Sequence, residues 1–402
     1  MKNLLRTFGI KNIFAYYLAA FFTSCFFMTG NWLFFYERII SRQEMGIIAV
    51  ISTVSGILFE IPTGALADLL GKKRVIQIGM FLPVVCYSVA LLLQSFWGFL
   101  ASETLIIISF AFLSGSFEAF AYDSLVERKL TIHFNHVESR RRILQSLAMI
   151  LAPTIGGYLY TFDIRLPWIF GIVTFLLGSV LFSILATEPT VDTYSFNLSE
   201  YRRQLARGAR TLFSQKTKAI IIPLFTFSAI TFLSLNVVKQ ATGQYLGFQG
   251  DTLGYMFSIV AISQILIGFS FPKIQKKLGI RNGYLVCYAL YAIVFLIASL
   301  SGGNVLLGGL VLVFLGSLPE LTQPLGSIAL NSAIPSNVRA TTLSTLSMIG
   351  QIPYALLFLF FANMTLKENI PVLLLIFSLV VVASLFAYEV RRIIHTKRKV
   401  SS

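Results

Sequence analysis

Long apolar runs separated by short charged segments dominate this 402-residue chain. About 20 mostly apolar residues, folded as a helix, cross the roughly 30 Å hydrocarbon core of a bilayer. Twelve runs of suitable length are present, with predicted limits 12–36, 44–67, 75–96, 99–126, 143–161, 166–187, 218–240, 252–272, 283–301, 304–330, 341–362 and 370–390. The pattern predicts an all-α integral membrane protein with twelve transmembrane helices.

Composition and charge agree with this prediction. With 56% hydrophobic and 12% charged residues, the chain has too little polar surface for a soluble globule of its length. The net charge of +15 falls in short basic clusters between apolar runs, so we expect no nucleic-acid partner. If the N-terminus is cytoplasmic, only five of the 32 Lys and Arg face outward, namely Arg38, Arg42, Arg165, Lys239 and Lys367. The positive-inside rule therefore predicts a multi-pass protein of the plasma (cytoplasmic) membrane with both termini cytoplasmic.

The longest polar connection divides the chain near its midpoint. We predict an N-terminal six-helix bundle at 1–187, a cytoplasmic linker at 188–217, and a C-terminal six-helix bundle with a basic tail at 218–402. The two halves share short matches at nearly the same offset. The segment 112–118, which ends in Glu118, resembles 314–320, which ends in Glu320. A duplicated six-helix unit explains these matches.

A charged hairpin joins the second and third runs, with the spacing Gly-x-x-x-Asp-x-x-Gly-Lys-Lys. Its residues are Gly64, Asp68, Gly71, Lys72 and Lys73. Glycines let the chain reverse, and the cations fix the turn on one side of the membrane. The spacing resembles the loop between the second and third helices of the major facilitator superfamily. An ordinary basic turn is the alternative interpretation.

The resemblance extends over essentially the whole chain and implies two six-helix bundles that rock about a central cavity, which opens alternately to each side. It also implies a conformational clamp, in which Lys72 pairs with Asp123 at the cytoplasmic end of the fourth helix. Asp68 would contribute near a helix end of the opposite half. A proton-carrying role is the alternative for Asp123.

A second partial motif lies in the fifth run, where Pro153, Gly156 and Gly157 stand. It is similar to the Gly-x-x-x-Gly-Pro-x-x-Gly-Gly motif of exporting members, although Ala148 and Ala152 replace both early glycines. Proline removes a helix hydrogen bond and the glycines permit close packing, so this run can bend. The motif favours an exporter, and a kinked packing helix is the alternative.

Three acids inside the runs are the candidate proton carriers, namely Glu60, Glu118 and Glu320. An ionisable side chain deep in a bilayer costs about 2.5 to 3.5 kcal/mol, and burial disfavours the charged form of a carboxyl group. Drug:proton antiporters of the family usually carry an arginine four residues before the glycine of the fourth helix, where this chain has Ala111. Any coupled proton therefore needs another group. The alternative is that these carboxyl groups fix helix packing.

Polar residues within the runs are the candidates for the substrate cavity, and they are Asn31, Asn236, Gln264, Gln323 and Gln351. Hydrogen bonding between neighbouring helices is their commoner use. His133 and His136 fall in a predicted cytoplasmic loop, and the three cysteines are far apart in the chain, so we expect no metal site. With no Walker loop or HExxH motif, we expect no cofactor and no enzyme activity.

The sequence resembles the drug:proton antiporter (efflux) branch of the family. The leading hypothesis is a secondary active transporter that exports small hydrophobic or drug-like compounds by alternating access, driven by protons. We expect a monomer in the lipid bilayer. The alternatives are proton-coupled uptake of a small metabolite and, from another class, a non-transporting membrane receptor.

Overall fold

The computed structural model describes residues 10–114, 116–189, 199, 203, 206–207, 210–214, 217, 220–235, 237–334, 342, 346 and 369–400. Within those ranges it describes the backbone but not the side chains of residues 57, 60–69, 232–235, 237–238, 331, 333 and 392–400. The predicted run 341–362 therefore lies almost wholly outside the described residues.

The described part of the chain is helical and contains no strand. In chain order the α-helices are α1 Lys11–Phe22, α2 Trp32–Tyr36, α3 Arg42–Leu70, α4 Lys72–Leu92, α5 Phe96–Leu113, α6 Ser116–Val126, α7 Phe134–Tyr160, α8 Leu166–Leu185, α9 Ile221–Leu235, α10 Val237–Tyr245, α11 Gly250–Leu300, α12 Val305–Ser317, α13 Pro319–Ala333 and α14 Ile370–Val400. Short 3₁₀ turns at Phe27–Gly30 and Thr131–His133 join some of them.

Eight helical stretches among the described residues are long and apolar enough to cross a membrane: Lys11–Gly30, Lys72–Leu92, Phe96–Val126, Thr131–Tyr160, Leu166–Leu185, Gly250–Leu300, Val305–Leu330 and Ile370–Arg391. The 51-residue α11 is too long for one span, and its backbone leaves the helical conformation at Gly279, where φ is 70° and ψ is −179°. The predicted spans 252–272 and 283–301 lie on either side of this break.

The chain forms two compact units. One contains Met1–Asn197 with Gly250–Ser258, and the other contains Leu198–Gln249 with Ile259–Ser402. The predicted linker lies largely outside the described residues, so its limits stay a prediction.

In the first unit, α1 packs against α7 and α8, and α4 packs against α5 and α8. Fully buried aromatic side chains fill the spaces between these helices. The Tyr36 ring of α2 stacks on Phe99 of α5 with ring centres 4.0 Å apart. Trp168 of α8 also stacks on Tyr36, with ring centres 5.7 Å apart. In the second unit, α9 packs against α13 and α14, and Phe227 of α9 contacts Tyr288 of α11 at 4.6 Å. Each unit thus has its own aromatic core.

The fourth predicted span is interrupted in a way that the sequence did not predict. Helix α5 ends at Leu113, Ser114 adopts an extended conformation, and α6 begins at Ser116. Glu118 lies in the first turn of α6. In the matching predicted span of the second unit, Pro319 has no backbone N–H and begins α13, while the preceding Leu318 keeps helical backbone angles (φ −57°, ψ −31°). Glu320 follows in the first turn of α13. Glu118 therefore lies at the start of a half-helix after an extended residue, whereas Glu320 follows a proline that lacks the helix hydrogen bond.

Backbones approach closely around α7. A Cβ on Gly156 would lie 1.8 Å from the carbonyl oxygen of Phe27. On the other side, a Cβ on Gly254 in α11 would lie 2.5 Å from the Pro153 carbonyl oxygen and 2.8 Å from Gly157 Cα. Only glycine fits these positions without movement of backbone atoms.

We predict that Gly156→Ala lowers the thermal stability of the purified protein, because overpacking a close contact costs about 1 to 3 kcal/mol. Gly268→Ala is the matched control, since the nearest atom to its added Cβ is 4.0 Å away and alanine favours a helix by about 1 kcal/mol over glycine. Thermal unfolding in detergent measures both. Equal stability of Gly156→Ala and wild type would contradict the close contact.

Candidate functional site

A cavity of about 410 Å³ lies within the first unit, between the end of α1, the α5–α6 interruption and α7. Its lining combines aromatic rings, hydroxyl groups and two charged side chains, from Thr23, Ser24, Phe26, Phe110, Leu113, Ser114, Phe117, Glu118, Arg141 and Gln145. This volume lies in the range of about 300 to 1,000 Å³ that small-molecule sites occupy. The cavity is therefore the candidate substrate site of this unit.

Arg141 is the centre of a charge network at this cavity. Its Nε donates to Glu138 Oε2 at 2.9 Å, and its Nη2 lies 2.8 Å from the same oxygen. Its Nη1 donates to Gln145 Oε1 at 2.7 Å, and its Nη2 reaches Glu118 Oε1 at 3.3 Å. One guanidinium thus binds two carboxylates and one amide.

Glu138 is held from both sides. The Tyr16 hydroxyl of α1 donates to Glu138 Oε1, while Arg141 binds Oε2. Only 14% of the Glu138 side chain and 12% of the Arg141 side chain are exposed, whereas 59% of Glu118 is exposed. Glu138 is therefore the enclosed partner of Arg141, and Glu118 is the accessible one.

The network results from the early start of α7. Glu138, Arg141 and Gln145 are spaced three and four residues apart, so one helix face presents all three. The sequence predicts that this span begins at residue 143, whereas α7 begins at Phe134 and contains Arg141. The helical spacing of these polar residues was the available signal.

The three candidate proton carriers have different surroundings. Glu118 lines the cavity, as described. Glu320 is half-buried in the second unit, with Oε2 4.0 Å from the position of a Cβ on Gly268. The side chain of Glu60 lies outside the described residues. Their roles as proton carriers stay predictions.

At the cytoplasmic hairpin, Lys72 forms an ion pair with the buried Asp123. Gly71 precedes α4 with φ of 87°, a conformation that favours glycine. The side chains at Gly64 and Asp68 lie outside the described residues. The ion pair has the partners that the family resemblance implies, while the role of these residues as a conformational clamp stays a prediction.

Two further acids, which were not among the predicted site residues, have well-defined hydrogen-bond partners. Glu188 accepts hydrogen bonds from the backbone N–H groups of Lys72 at 2.7 Å and Lys73 at 2.8 Å, so its carboxylate caps α4. Glu103 of α5 is partly buried and accepts a hydrogen bond from the Tyr36 hydroxyl at 2.8 Å. No local motif marks Glu188, whereas Glu103 stands inside a predicted span and was overlooked.

The remaining candidates divide into four groups. Pro153, Gly156 and Gly157 lie in α7 at the close contacts described above. Asn31 is buried and donates to the Gly156 carbonyl oxygen at 3.4 Å, and Gln264 donates to the Gly316 carbonyl oxygen at 2.7 Å, so both join neighbouring segments. Gln323 is exposed. Asn236 and Gln351 lie outside the described residues.

Within the described ranges, His, Cys, Asp and Glu form no group of three or more with the proximity that a metal ion requires. His133 and His136 lie near each other, with ring centres 6.5 Å apart.

The family follows from comparison with known proteins. Residues 13–358 match the model of the Major Facilitator Superfamily. Because this match covers most of the chain, the chain belongs to the Major Facilitator Superfamily. It is a multi-pass membrane protein and a secondary transporter of this type rather than an enzyme, and its small-molecule cargo is a class property of such transporters.

Individual relatives are distant. The chain is 22% identical over 320 residues to the uncharacterized MFS-type transporter YxaM of Bacillus subtilis (strain 168), a match that covers 77% of each protein. The structure is similar to that of the nucleoside transporter NupG, with a TM-score of 0.75, 16% identity, and coverage of 95% of this chain and 98% of that chain. The D-xylose-proton symporter gives a TM-score of 0.68 and 14% identity over 94% of this chain and 96% of that chain. These likenesses confirm the major facilitator fold, and the drug:proton antiporter branch stays a prediction.

The Lys72–Asp123 pair gives a test of stability. Removing one partner of a buried ion pair costs about 3 to 5 kcal/mol, and we expect the lower end because 19% and 12% of the two side chains are exposed. Lys72→Met and Asp123→Leu should each lower the unfolding temperature, and the double variant should recover much of the loss, because no unpaired charge remains. Thermal unfolding of the four proteins measures this cycle. Additive losses would contradict a direct interaction.

Proposed function

We propose that the chain exports small compounds with a largely apolar body in exchange for protons, by alternating access. The observation that carries this proposal is the cavity of the first unit, where aromatic rings and an accessible carboxyl group lie together. Phe26 and Phe110 contact each other at 5.9 Å between ring centres, and Phe117 lines the same cavity. Apolar rings favour an apolar body, and a few polar groups orient it.

Glu118 is the proton carrier of this proposal. It is the most exposed acid of the network, and one contact of 3.3 Å joins it to Arg141. A proton on Glu118 would remove its charge and weaken that contact, while Glu138 would continue to hold Arg141. Glu118 is thus placed to gain or lose a proton without dismantling the network. Glu320 is the corresponding candidate in the second unit.

Export is the proposed direction because of the partial motif in α7. Both glycines of the motif lie at close backbone contacts, which suits a helix that must pack tightly in one state of the transport cycle. Proton-coupled uptake is the second candidate, and similarity to the fold of the D-xylose-proton symporter favours it. Both directions use the same cavity and the same proton carrier.

The proposal also includes the location and assembly of the chain. We infer a monomer in the cytoplasmic membrane, with both termini and residues 188–217 on the cytoplasmic side, because basic residues concentrate there. On this side Lys72 and Asp123 would stabilise one state of the transport cycle. Loss of this pair would shift the balance between states.

Glu118→Gln should abolish proton coupling, because an amide side chain does not gain or release a proton near neutral pH. We suggest proteoliposomes with an internal pH dye and gradients of benzenesulfonate, benzenesulfonamide and benzyltrimethylammonium, an anion, a neutral compound and a cation of similar size. Wild type should give a pH change with at least one probe, and Glu118→Gln with none. Glu127→Gln is the control, since this exposed acid follows α6 outside the cavity. Unchanged coupling in Glu118→Gln would exclude Glu118 as the carrier.

Direction has a separate test. In everted vesicles with an acidic interior, an exporter should accumulate the active probe against its gradient, and ionophore-mediated loss of the proton gradient should release it. Right-side-out vesicles with an acidic exterior should not accumulate the probe. The reverse pattern would replace export with uptake and leave the proton carrier unchanged.

A further inference from the structure

The two carboxylate partners of Arg141 are unequal. Glu138 makes two short contacts through one oxygen, and Tyr16 holds its other oxygen. Glu118 makes one contact at 3.3 Å and faces the cavity. The Nη2 group of Arg141 therefore has one enclosed partner and one partner that can be exchanged for an anion in the cavity.

The charge of the network limits what can bind there. With Glu118 and Glu138 ionised, Arg141 compensates one of two negative charges. The Tyr16 hydroxyl and the Gln145 amide also bind these groups and add no charge. An entering anion would add a second uncompensated negative charge in a site of low polarity, which is unfavourable. If Glu118 carries a proton, the entering anion restores the original balance. One anion replaces the other.

The surrounding elements favour an anion at this place. Helix α6 begins at Ser116, next to the cavity-lining Ser114, and the first turn of a helix carries partial positive charge. Half-helix starts of this kind face anionic substrate groups in other membrane transporters. Together with the Arg141 guanidinium, this half-helix makes the end of the cavity near Glu118 the positive end once Glu118 is neutral.

We propose that the cavity binds a small aromatic monoanion, whose carboxylate or sulfonate group replaces Glu118 on Arg141 when Glu118 is protonated. The aromatic body lies against Phe26, Phe110 and Phe117. This inference rests on the cavity and the proton carrier that the proposed function assigns, and names the substrate class of the same site. Because the proton and the anion bind together, they would cross the membrane in the same direction, as in proton-coupled uptake, the second candidate. Proton and substrate are linked because both alter the interaction between Glu118 and Arg141.

Equilibrium binding tests this inference independently of transport. Glu118→Gln imitates the protonated acid, so it should bind benzenesulfonate about ten-fold more tightly than wild type at one neutral pH, as measured by isothermal titration calorimetry in detergent. Benzenesulfonamide has a similar shape and no charge, so its affinity should change less than about two-fold. The double variant Glu118→Gln/Arg141→Gln should lose the preference for the anion, and circular dichroism and unfolding temperature check that it is folded.

Several outcomes would overturn the inference. They are equal affinity of wild type and Glu118→Gln for benzenesulfonate, equal gains for anion and sulfonamide, and failure of Glu118→Gln to bind benzenesulfonate. If the double variant does not fold, the ratio of benzenesulfonate to benzenesulfonamide affinity in Glu118→Gln still tests whether the cavity prefers the anion. Proton coupling with a neutral or cationic probe alone would retain the proposed function and exclude the anion. Tighter binding of benzenesulfonate by Glu118→Gln, without proton coupling for any probe, would retain the anion site and exclude the proposed function.

Discussion

A guanidinium group in a membrane-spanning helix needs anionic partners, because an uncompensated charge in hydrocarbon is costly. The first unit meets this requirement at Arg141 with two carboxylates from different helices. The consequence reaches beyond stability. Tyr16 on α1 reaches α7 through Glu138, and Glu118 on α6 reaches it through Arg141, which itself binds Glu138. The charge state of Glu118 therefore affects how three helices contact each other.

The interruption between α5 and α6 gives this network its access to the cavity. A continuous helix would keep its backbone groups satisfied internally, whereas the extended Ser114 separates two half-helices beside Glu118. In the second unit Glu320 follows Pro319, which lacks a backbone N–H, while Leu318 keeps a helical conformation. The predicted correspondence of Glu118 and Glu320 thus combines two different local environments.

The sequence was sufficient for the fold and for part of the site. Long apolar runs have few alternatives to helices in a bilayer, so class and most spans followed directly. The position of Arg141 did not follow, because hydropathy assigns charged residues to loops and is insensitive to a polar helix face such as that of Glu138 and Arg141. The sequence also could not predict that Glu188 caps α4, since Glu188 is more than a hundred residues from Lys72 in the chain. Contacts of this kind depend on packing rather than on local pattern.

Glu188 has a mechanical consequence. It lies at the beginning of the polar connection toward the second unit, and its carboxylate holds the first two N–H groups of α4 next to Gly71. The connection is therefore anchored through a side chain at the hairpin as well as through the covalent chain after α8. Tension in the connecting segment would act on this anchor and so on the helix start that bears Lys72.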